Sequence, residues 1–221
     1  FDLDVGRILS SPVIYDDKII VLGDRGLLKC LDLNTQEVLW EYSIDRNNES
    51  KETIIGGGLS YDLAGNLYVT TSVGEVLSFT IKTGNLNWRY EIDAPIMDAP
   101  TVIENTIFFT DVSNVSRSIS STGNLNWVVR GIPYNQIRAN TGQPVPAGDL
   151  LLLSSSSGIL SAVDKETGFQ QWDFRFTFNR AGFTQNTFGF FNGHPVVYDD
   201  KIYFGSVSGQ FNALKLDGDV L

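Results

Sequence analysis

The chain has 221 residues, and its 16 lysine and arginine residues against 26 aspartate and glutamate residues give a formal net charge of −10. Nucleic acid and anionic lipid surfaces attract clustered basic side chains, so this balance argues against both as partners. The longest wholly aliphatic runs are residues 19–22 and 150–153, whereas a membrane-spanning helix needs about 20 apolar residues. The sequence therefore predicts no membrane span.

Short apolar runs separated by turn-forming residues predict β-strands from the start of the chain. The first 45 residues contain four such runs, at 12–15, 18–22, 27–31 and 38–42. The same pattern returns near the end of the chain, at 196–198, 201–204 and 211–214. No stretch places apolar residues at helical spacing over three turns, so we predict no long helix.

All the tryptophans of the chain end copies of one pattern. Each lies four residues after the last residue of a turn, and they are Trp40, Trp88, Trp127 and Trp172. An earlier turn precedes each of them by 13 or 14 residues, at Gly26, Gly74, Asn114 and Gly158. A fifth copy is visible at Gly209 and Asp217-Gly218. A constant spacing of this kind indicates an internal repeat.

A second spacing repeats in the first half of each copy. A proline lies 14 residues before the earlier turn in four copies, at Pro12, Pro100, Pro144 and Pro195. The second copy has Gly58 in this place, followed by a two-residue insertion near Leu63-Ala64. We therefore predict one domain spanning residues 1–221, with repeats at about 6–45, 54–93, 97–132, 141–178 and 192–221.

Four short strands in a repeat of about 40–50 residues are typical of a β-propeller blade. We predict an all-β fold, a β-propeller of four-stranded blades with five repeat units in this chain. A blade has two apolar faces and is stable only when stacked on its neighbours. Each tryptophan is therefore predicted to fill the gap between adjacent blades rather than to stack on a ligand. The turn glycines Gly84, Gly123 and Gly168 are assigned to the same contacts.

Residues 162–172 carry the motif A-x-D-x-x-T-G-x-x-x-W at every fixed position, and other copies keep part of it. In this the sequence resembles the pyrroloquinoline-quinone (PQQ)-type repeat family. The resemblance implies a propeller of seven or eight blades, of which this chain would form an open arc. In the alternative, residues 1–3 complete the last blade and close a five-bladed ring.

The residue types that carry catalysis are sparse. His194 is the only histidine and Cys30 the only cysteine, and both stand at repeat positions that predict packing roles. The sequence has no Cys/His cluster and no calcium-loop pattern, so we predict no catalytic, cofactor-binding or metal-binding residue. Quinoprotein dehydrogenases share the PQQ-type repeat and typically use a vicinal disulfide, which a single cysteine cannot form. We therefore predict that the chain is not an enzyme.

Several segments, at 56–62, 66–71, 74–76, 83–88, 99–103 and 108–111, are similar to the BamB family of outer-membrane assembly factors. Members bind no PQQ, so no cofactor is expected. The resemblance implies a non-catalytic scaffold that docks on the barrel-inserting subunit BamA. It also implies a place at the periplasmic face of the bacterial outer membrane, with a lipid anchor upstream of Phe1. The alternatives are a PQQ-dependent quinoprotein dehydrogenase fragment and a generic periplasmic sensor or binding propeller.

The segment after the fourth tryptophan is rich in aromatic residues, since seven of the 14 phenylalanines fall between Phe174 and Phe191. Loops at the ends of a propeller carry its specificity, and phenylalanine and arginine are enriched at protein interfaces. We predict a partner-binding surface here, formed by Arg180, Phe183, Phe188, Phe190 and Phe191. The alternative is that these side chains pack over the end of the propeller.

Overall fold

The computed structural model describes residues 4–8, 10–44, 56–132, 142–175, 194–206 and 209–221. All regular secondary structure in these ranges is extended, with 19 strands and no helix. The predicted all-β fold is therefore confirmed. Over the same ranges, nothing helical has the length and apolarity that crossing a membrane requires.

The strands form five sheets, each built from strands that are consecutive in the chain. Sheet 1 consists of β1–β4, at Val13–Tyr15, Lys18–Leu22, Leu27–Asp32 and Val38–Ser43. Sheet 2 consists of β5–β8, at Gly57–Tyr61, Asn66–Thr71, Glu75–Thr80 and Leu86–Glu91. Sheet 3 consists of β9–β12, at Thr101–Ile103, Thr106–Thr110, Val115–Ser120 and Leu125–Arg130. Sheet 4 consists of β13–β16, at Val145–Ala147, Leu150–Ser154, Ile159–Asp164 and Gln170–Arg175. Sheet 5 consists of β17–β19, at Val196–Tyr198, Lys201–Gly205 and Phe211–Lys215.

Sheet 5 differs from the predicted four-stranded unit at its last strand. Sheets 1 to 4 have four strands each, whereas sheet 5 has three. An isolated bridge between Leu214 and Val220 stands in the place of the fourth strand. The reason is length: three residues follow Gly218 in this sequence, whereas the outer strand of each other sheet has six.

The chain forms two compact units. The first combines Phe1–Ile107 with Ile119–Asn124 and contains sheets 1 and 2. The second combines Phe108–Ser118 with Leu125–Leu221 and contains sheets 4 and 5. Sheet 3 contributes residues to both units.

Each unit has its own hydrophobic core. In the first unit, a cluster of buried side chains includes Ile20 of sheet 1 and Phe79 of sheet 2. In the second unit, the corresponding cluster includes Leu160 of sheet 4 and Ile202 of sheet 5. Both clusters cover apolar sheet faces that a single blade could not bury alone.

Burial decreases from the inner strands of a sheet to the outer one. The inner strands β6 and β7 of sheet 2 are buried at all positions but one each. The outer strand β8 exposes its first two residues and its last. Strands covered on both faces read as nearly continuous apolar runs, whereas an outer strand alternates, and the sequence shows this difference.

The turns between the second and third strands lie where the repeat spacing placed them, so the predicted turns are confirmed. Their turn residues all have positive φ: Gly26 72°, Gly74 82°, Asn114 60°, Gly158 79° and Gly209 84°. A Cβ makes this conformation costly, which explains the glycine preference. Asn114 breaks the glycine series, and asparagine tolerates positive φ better than most residues.

Candidate functional site

Each tryptophan lies against the turn between the third and fourth strands of the next sheet, or its equivalent in sheet 5. A Cβ built on Gly84 would lie 2.6 Å from Cδ2 of Trp40, well inside van der Waals contact. The contact recurs between Trp88 and Gly123, Trp127 and Gly168, and Trp172 and Gly218, at 3.0, 2.8 and 2.9 Å. All four glycines also have positive φ. A larger residue would therefore be opposed both by the ring and by the backbone conformation.

The indole N–H of each tryptophan donates a hydrogen bond to the same turn. Trp40 Nε1 lies 2.7 Å from the carbonyl oxygen of Ile81, three residues before Gly84. The equivalent bonds join Trp88 to Ser121 at 2.8 Å, Trp127 to Lys165 at 3.1 Å and Trp172 to Leu216 at 2.7 Å. A largely buried indole N–H needs an acceptor, so this bond sets the orientation of the ring.

A small residue stands opposite the tryptophan on the neighbouring strand. The cross-strand pairs are Cys30 with Trp40, Ser78 with Trp88, and Ala162 with Trp172. The strand register shifts directly after each of these small residues, as at a β-bulge. The small side chain leaves room for the ring, which gives a physical reason for the alanine that begins the sequence motif.

The aspartate of the motif closes the turn between the third and fourth strands of its sheet. Asp164 Oδ1 accepts hydrogen bonds from the backbone N–H of Thr167 at 2.8 Å and from its hydroxyl at 2.7 Å. Asp32 Oδ1 accepts bonds from the N–H groups of Asn34 and Thr35, both at 2.8 Å. Hydrogen bonds to a carboxylate favour its charged form. The hydroxyl of Thr167 thus lowers the pKa of Asp164, and the N–H of Thr35 lowers the pKa of Asp32.

The structure brings together in pairs the residues that the sequence assigned to contacts between sheets. These are Trp40, Trp88, Trp127 and Trp172 with Gly84, Gly123 and Gly168. The sequence assignment omitted Gly218, which lies against Trp172 in the same way. Its signal was present, because the Asp217-Gly218 turn stands at the expected place in the repeat.

Cys30 and His194, the two residues whose chemistry suggested a reactive group, are engaged within the fold. Cys30 is fully buried, and burial raises the pKa of its thiol from 9.0 to about 11. His194 Nδ1 accepts a hydrogen bond from the backbone N–H of Gln143. Across the described ranges, no group of three or more His, Cys, Asp or Glu side chains is placed to hold a metal ion.

A buried asparagine joins sheet 3 to sheet 4 within the second unit. Asn114 Oδ1 accepts hydrogen bonds from the N–H of Ser156 at 2.9 Å and from its hydroxyl at 3.0 Å. Asn114 Nδ2 donates to the carbonyl oxygen of Ile132 at 3.0 Å. One side chain thus ties two turns to the beginning of the connection that leaves sheet 3. Sequence reasoning missed this role, although Asn114 stands out as the non-glycine residue at its repeat position.

A hydrogen bond joins two described residues that follow the segments 133–141 and 176–193 in the sequence. Gln143 follows the first segment and His194 follows the second, and the bond from Gln143 N–H to His194 Nδ1 is 2.9 Å long. Phe174, just before the second segment, meets Phe204 edge-on with ring centroids 5.3 Å apart. The predicted partner-binding residues lie outside the described residues, and they are Arg180, Phe183, Phe188, Phe190 and Phe191.

Comparisons with known proteins agree with the repeat and the fold. A family model described as "Outer membrane protein assembly factor BamB" matches residues 24–219. A protein of that same name from Legionella pneumophila is 28% identical over 163 residues, which are 72% of this chain and 41% of that protein. The crystal structure of BamB from Moraxella catarrhalis superposes with a TM-score of 0.83 at 18% identity. The superposition covers 100% of this chain and 64% of the Moraxella chain.

The same fold also occurs in an enzyme. A europium-containing methanol dehydrogenase superposes with a TM-score of 0.72 at 15% identity, covering 98% of this chain and 51% of that one. At such identities the likeness shows the fold alone, and the predicted β-propeller fold with PQQ-type repeats is confirmed. The chain spans less than two thirds of each of these proteins.

Proposed function

Because this chain belongs to the family of outer membrane protein assembly factor BamB, we propose that it is a non-catalytic scaffold of the machinery that assembles β-barrel proteins into the bacterial outer membrane. The observation that carries the proposal is the match of the family model to residues 24–219. We propose further that residues 1–221 form one propeller segment. A propeller suits a scaffold because its rigid blades hold the loops that contact partners.

The chemistry of the described side chains supports a scaffold rather than an enzyme. The thiol of Cys30 is buried, with its pKa raised to about 11, so little of it is a nucleophilic thiolate at neutral pH. Asp164 closes a turn and Asn114 joins two sheets. The carboxylate of Asp164 is therefore engaged in structural hydrogen bonds, which leaves it poorly placed for acid–base chemistry, and the amide of Asn114 does not titrate.

The proposed partner is a protein, the BamA-like barrel-inserting subunit. The proposed location is the periplasmic face of the outer membrane, with a lipid anchor upstream of Phe1. The proposed docking surface consists of the segments 133–141 and 176–193, with Arg180, Phe183, Phe188, Phe190 and Phe191 as its contact residues. The bond between Gln143 and His194 supports one continuous surface, because it joins a residue shortly after the first segment to the residue directly after the second.

The test is capture of the barrel-inserting subunit by the intact protein carrying Phe190→Ala and Phe191→Ala. We expect capture to be lost while the thermal unfolding midpoint stays unchanged. Phe169→Ala is the matched control, because Phe169 is 73% exposed and lies between β15 and β16, at the end of sheet 4 opposite to Val145 and Arg175. Loss of the fold in the double variant, or capture that remains intact, contradicts the proposed surface.

A PQQ-dependent dehydrogenase fragment is the second candidate, and the likeness of fold to the methanol dehydrogenase is the observation that favours it. Added PQQ with calcium distinguishes the two candidates. A scaffold leaves the absorbance of the quinone and the unfolding midpoint of the protein unchanged, whereas saturable changes in both support the dehydrogenase.

A further inference from the structure

The turn between the first and second strands of sheet 2 is longer than its counterparts. It has four residues, 62–65, between β5 and β6, whereas the other four sheets use two residues in the same place. The extra length places Leu63 at the tip with 96% of its surface exposed. The side chain of Leu63 can therefore be covered by a partner without any rearrangement of the turn.

The turn that presents Leu63 is held firmly. The carboxylate of Asp62 is nearly buried. It accepts hydrogen bonds from the N–H of Asn66 at 2.9 Å, from the amide of Asn66 at 2.8 Å and from the hydroxyl of Tyr68 at 2.8 Å. The carbonyl oxygen of Gly65 accepts a further bond from the N–H of Ile81 at 2.9 Å. Little backbone freedom remains to be lost when a partner covers Leu63, which favours binding.

Grooves flank this turn on both sides, all within the first unit. One has a volume of about 750 Å³ and is lined by Tyr61, Leu63, Val102, Ile103 and Glu104, among others. The other has a volume of about 730 Å³ and includes Tyr15, Asp16 and Leu39. Ala64 lines both grooves, so the turn is a ridge between two depressions. A partner that contacts the ridge can therefore extend into the grooves on both sides of it.

The charge of the first groove favours a basic partner. The first is lined by Asp62 and Glu104 and by no lysine or arginine. The second has Asp16 and Asp32 against Lys18 and Lys82, and Lys18 is already hydrogen-bonded to Asp17. The first groove therefore has a net negative formal charge, whereas two acidic and two basic side chains balance in the second. An acidic rim attracts a partner that carries the opposite charge.

We propose that the ridge at Leu63 is a docking site for a protein segment that combines apolar side chains with flanking lysine or arginine. The apolar side chains cover Leu63 and fill the groove beside Val102 and Ile103, and the basic side chains lie against Glu104. The ridge consists of residues 62–65 of the first unit, whereas the segments proposed for the barrel-inserting subunit belong to the second unit. The two proposals therefore rest on different residues.

The experiment measures binding of a fluorescein-labelled twelve-residue peptide of alternating leucine and lysine to the intact protein by anisotropy. A peptide of alternating leucine and glutamate is the charge-reversed probe. The variants are Leu63→Ser and Glu104→Gln. Leu125→Ser is the matched control, because it removes another exposed leucine without a change in charge. Thermal unfolding midpoints that match the unmodified protein show that each variant is folded.

We expect the lysine peptide to bind and the glutamate peptide not to bind. Leu63→Ser weakens binding at least about tenfold, as expected for a central apolar contact, and Glu104→Gln weakens it less and reduces its salt dependence. Leu125→Ser leaves it unchanged. Equal binding by the Leu63→Ser and Leu125→Ser proteins overturns the proposal, because it shows a general attraction to an acidic chain.

Two further measurements distinguish the proposed partner from two other occupants of the ridge, the barrel-inserting subunit and a second copy of this chain. We expect the Leu63→Ser protein to capture the barrel-inserting subunit as well as the unmodified protein does, so failure of one proposal leaves the other testable. Loss of that capture overturns the claim of a separate site. Self-association in sedimentation that Leu63→Ser abolishes overturns it as well, in favour of a second copy of this chain.

Discussion

The indole of Trp127 lies directly on the backbone of Gly168, so that a Cβ on Gly168 would be 2.8 Å from Cδ2 of the ring. The N–H of Trp127 is bonded to the carbonyl oxygen of Lys165, three residues before that glycine. The ring of Trp127 packs directly against the turn because Gly168 has no side chain there. The contact therefore requires both the large side chain of the tryptophan and the glycine.

The first prediction compares two glycines that share a backbone conformation and differ in surroundings. Gly168 has φ +74° with the ring of Trp127 against it, whereas Gly148 has φ +66° with nothing within 4 Å. Alanine at Gly148 costs about 1 kcal/mol, the strain of positive φ alone. Alanine at Gly168 adds a steric cost of about 1–3 kcal/mol. Urea unfolding of both variants measures the difference, and equal destabilisation contradicts a tight contact.

The second prediction concerns the buried bridge at Asn114. Asn114→Gly keeps the positive φ but removes the bonds to Ser156 and Ile132, so we expect a loss of about 1–3 kcal/mol in the free energy of unfolding. Ser156→Ala removes only the hydroxyl bond and should cost less. Because the two residues interact directly, the double variant should cost less than the sum of the single ones. Strict additivity in urea unfolding shows that they do not interact.

The third prediction is that Cys30 does not react in the folded protein. Its thiol is fully buried with a pKa of about 11, so a thiol-specific reagent at pH 7.5 modifies it only after unfolding. The reaction rate should therefore rise steeply across the urea transition. Rapid modification without denaturant contradicts this burial.

The raised pKa of Cys30 also predicts a dependence of stability on alkaline pH. The folded state holds the proton more tightly than the unfolded state. The stability that the bound proton contributes to the folded state is fully present below pH 9.0, the ordinary pKa of a thiol. It is lost as the pH rises through about 11, the pKa of Cys30 in the folded state. Cys30→Ala, which places here the residue that sheet 4 has at Ala162, should lack this part of the alkaline dependence. If the free energy of unfolding depends on alkaline pH in the same way in both proteins, the raised pKa of Cys30 is contradicted.

The fourth prediction concerns acid. Asp164 has a pKa below its ordinary 3.8, first of all because of the hydroxyl of Thr167. A lowered pKa stabilises the fold above the ordinary value, and that stabilisation is lost as the pH falls through the folded value. The NMR titration midpoint of the Asp164 carboxyl should therefore lie below 3.8. Thr167→Val should move it upward, and a midpoint that does not respond rules out this hydrogen bond as the cause.

Much of the fold could be predicted from the sequence because a propeller repeats a local pattern. The sequence runs at 18–22, 27–31 and 38–42 became β2, β3 and β4 with ends that differ by at most one residue. The turn at Asn114 has the conformation that its place in the repeat required. Local pattern sufficed in these cases because strand alternation and turn chemistry involve residues that are near one another in the chain.

The contacts between the sheets and the exposure of Leu63 could be predicted from the sequence only in part. The tryptophans and the turn glycines each stood out as members of the repeat, whereas the side chain of Asn114 gave no indication that it would reach Ser156, 42 residues later. Leu63 was visible as part of an insertion, but its exposure depends on the hydrogen bonds that Asp62 makes with Asn66 and Tyr68. Those bonds depend on where the folded strands place the side chains.

The sequence by itself determined that this chain is a series of β repeats with a tryptophan at a constant place in four of them. That information is local, because it consists of spacings within about 40–50 residues. Only the tertiary structure decided which glycine each ring covers and which carbonyl its N–H reaches. The partners of Trp40 and Trp172, for example, lie 41 and 44 residues away. The physical reason is that such contacts form between sheets, and their geometry exists only once neighbouring sheets have stacked and buried their apolar faces.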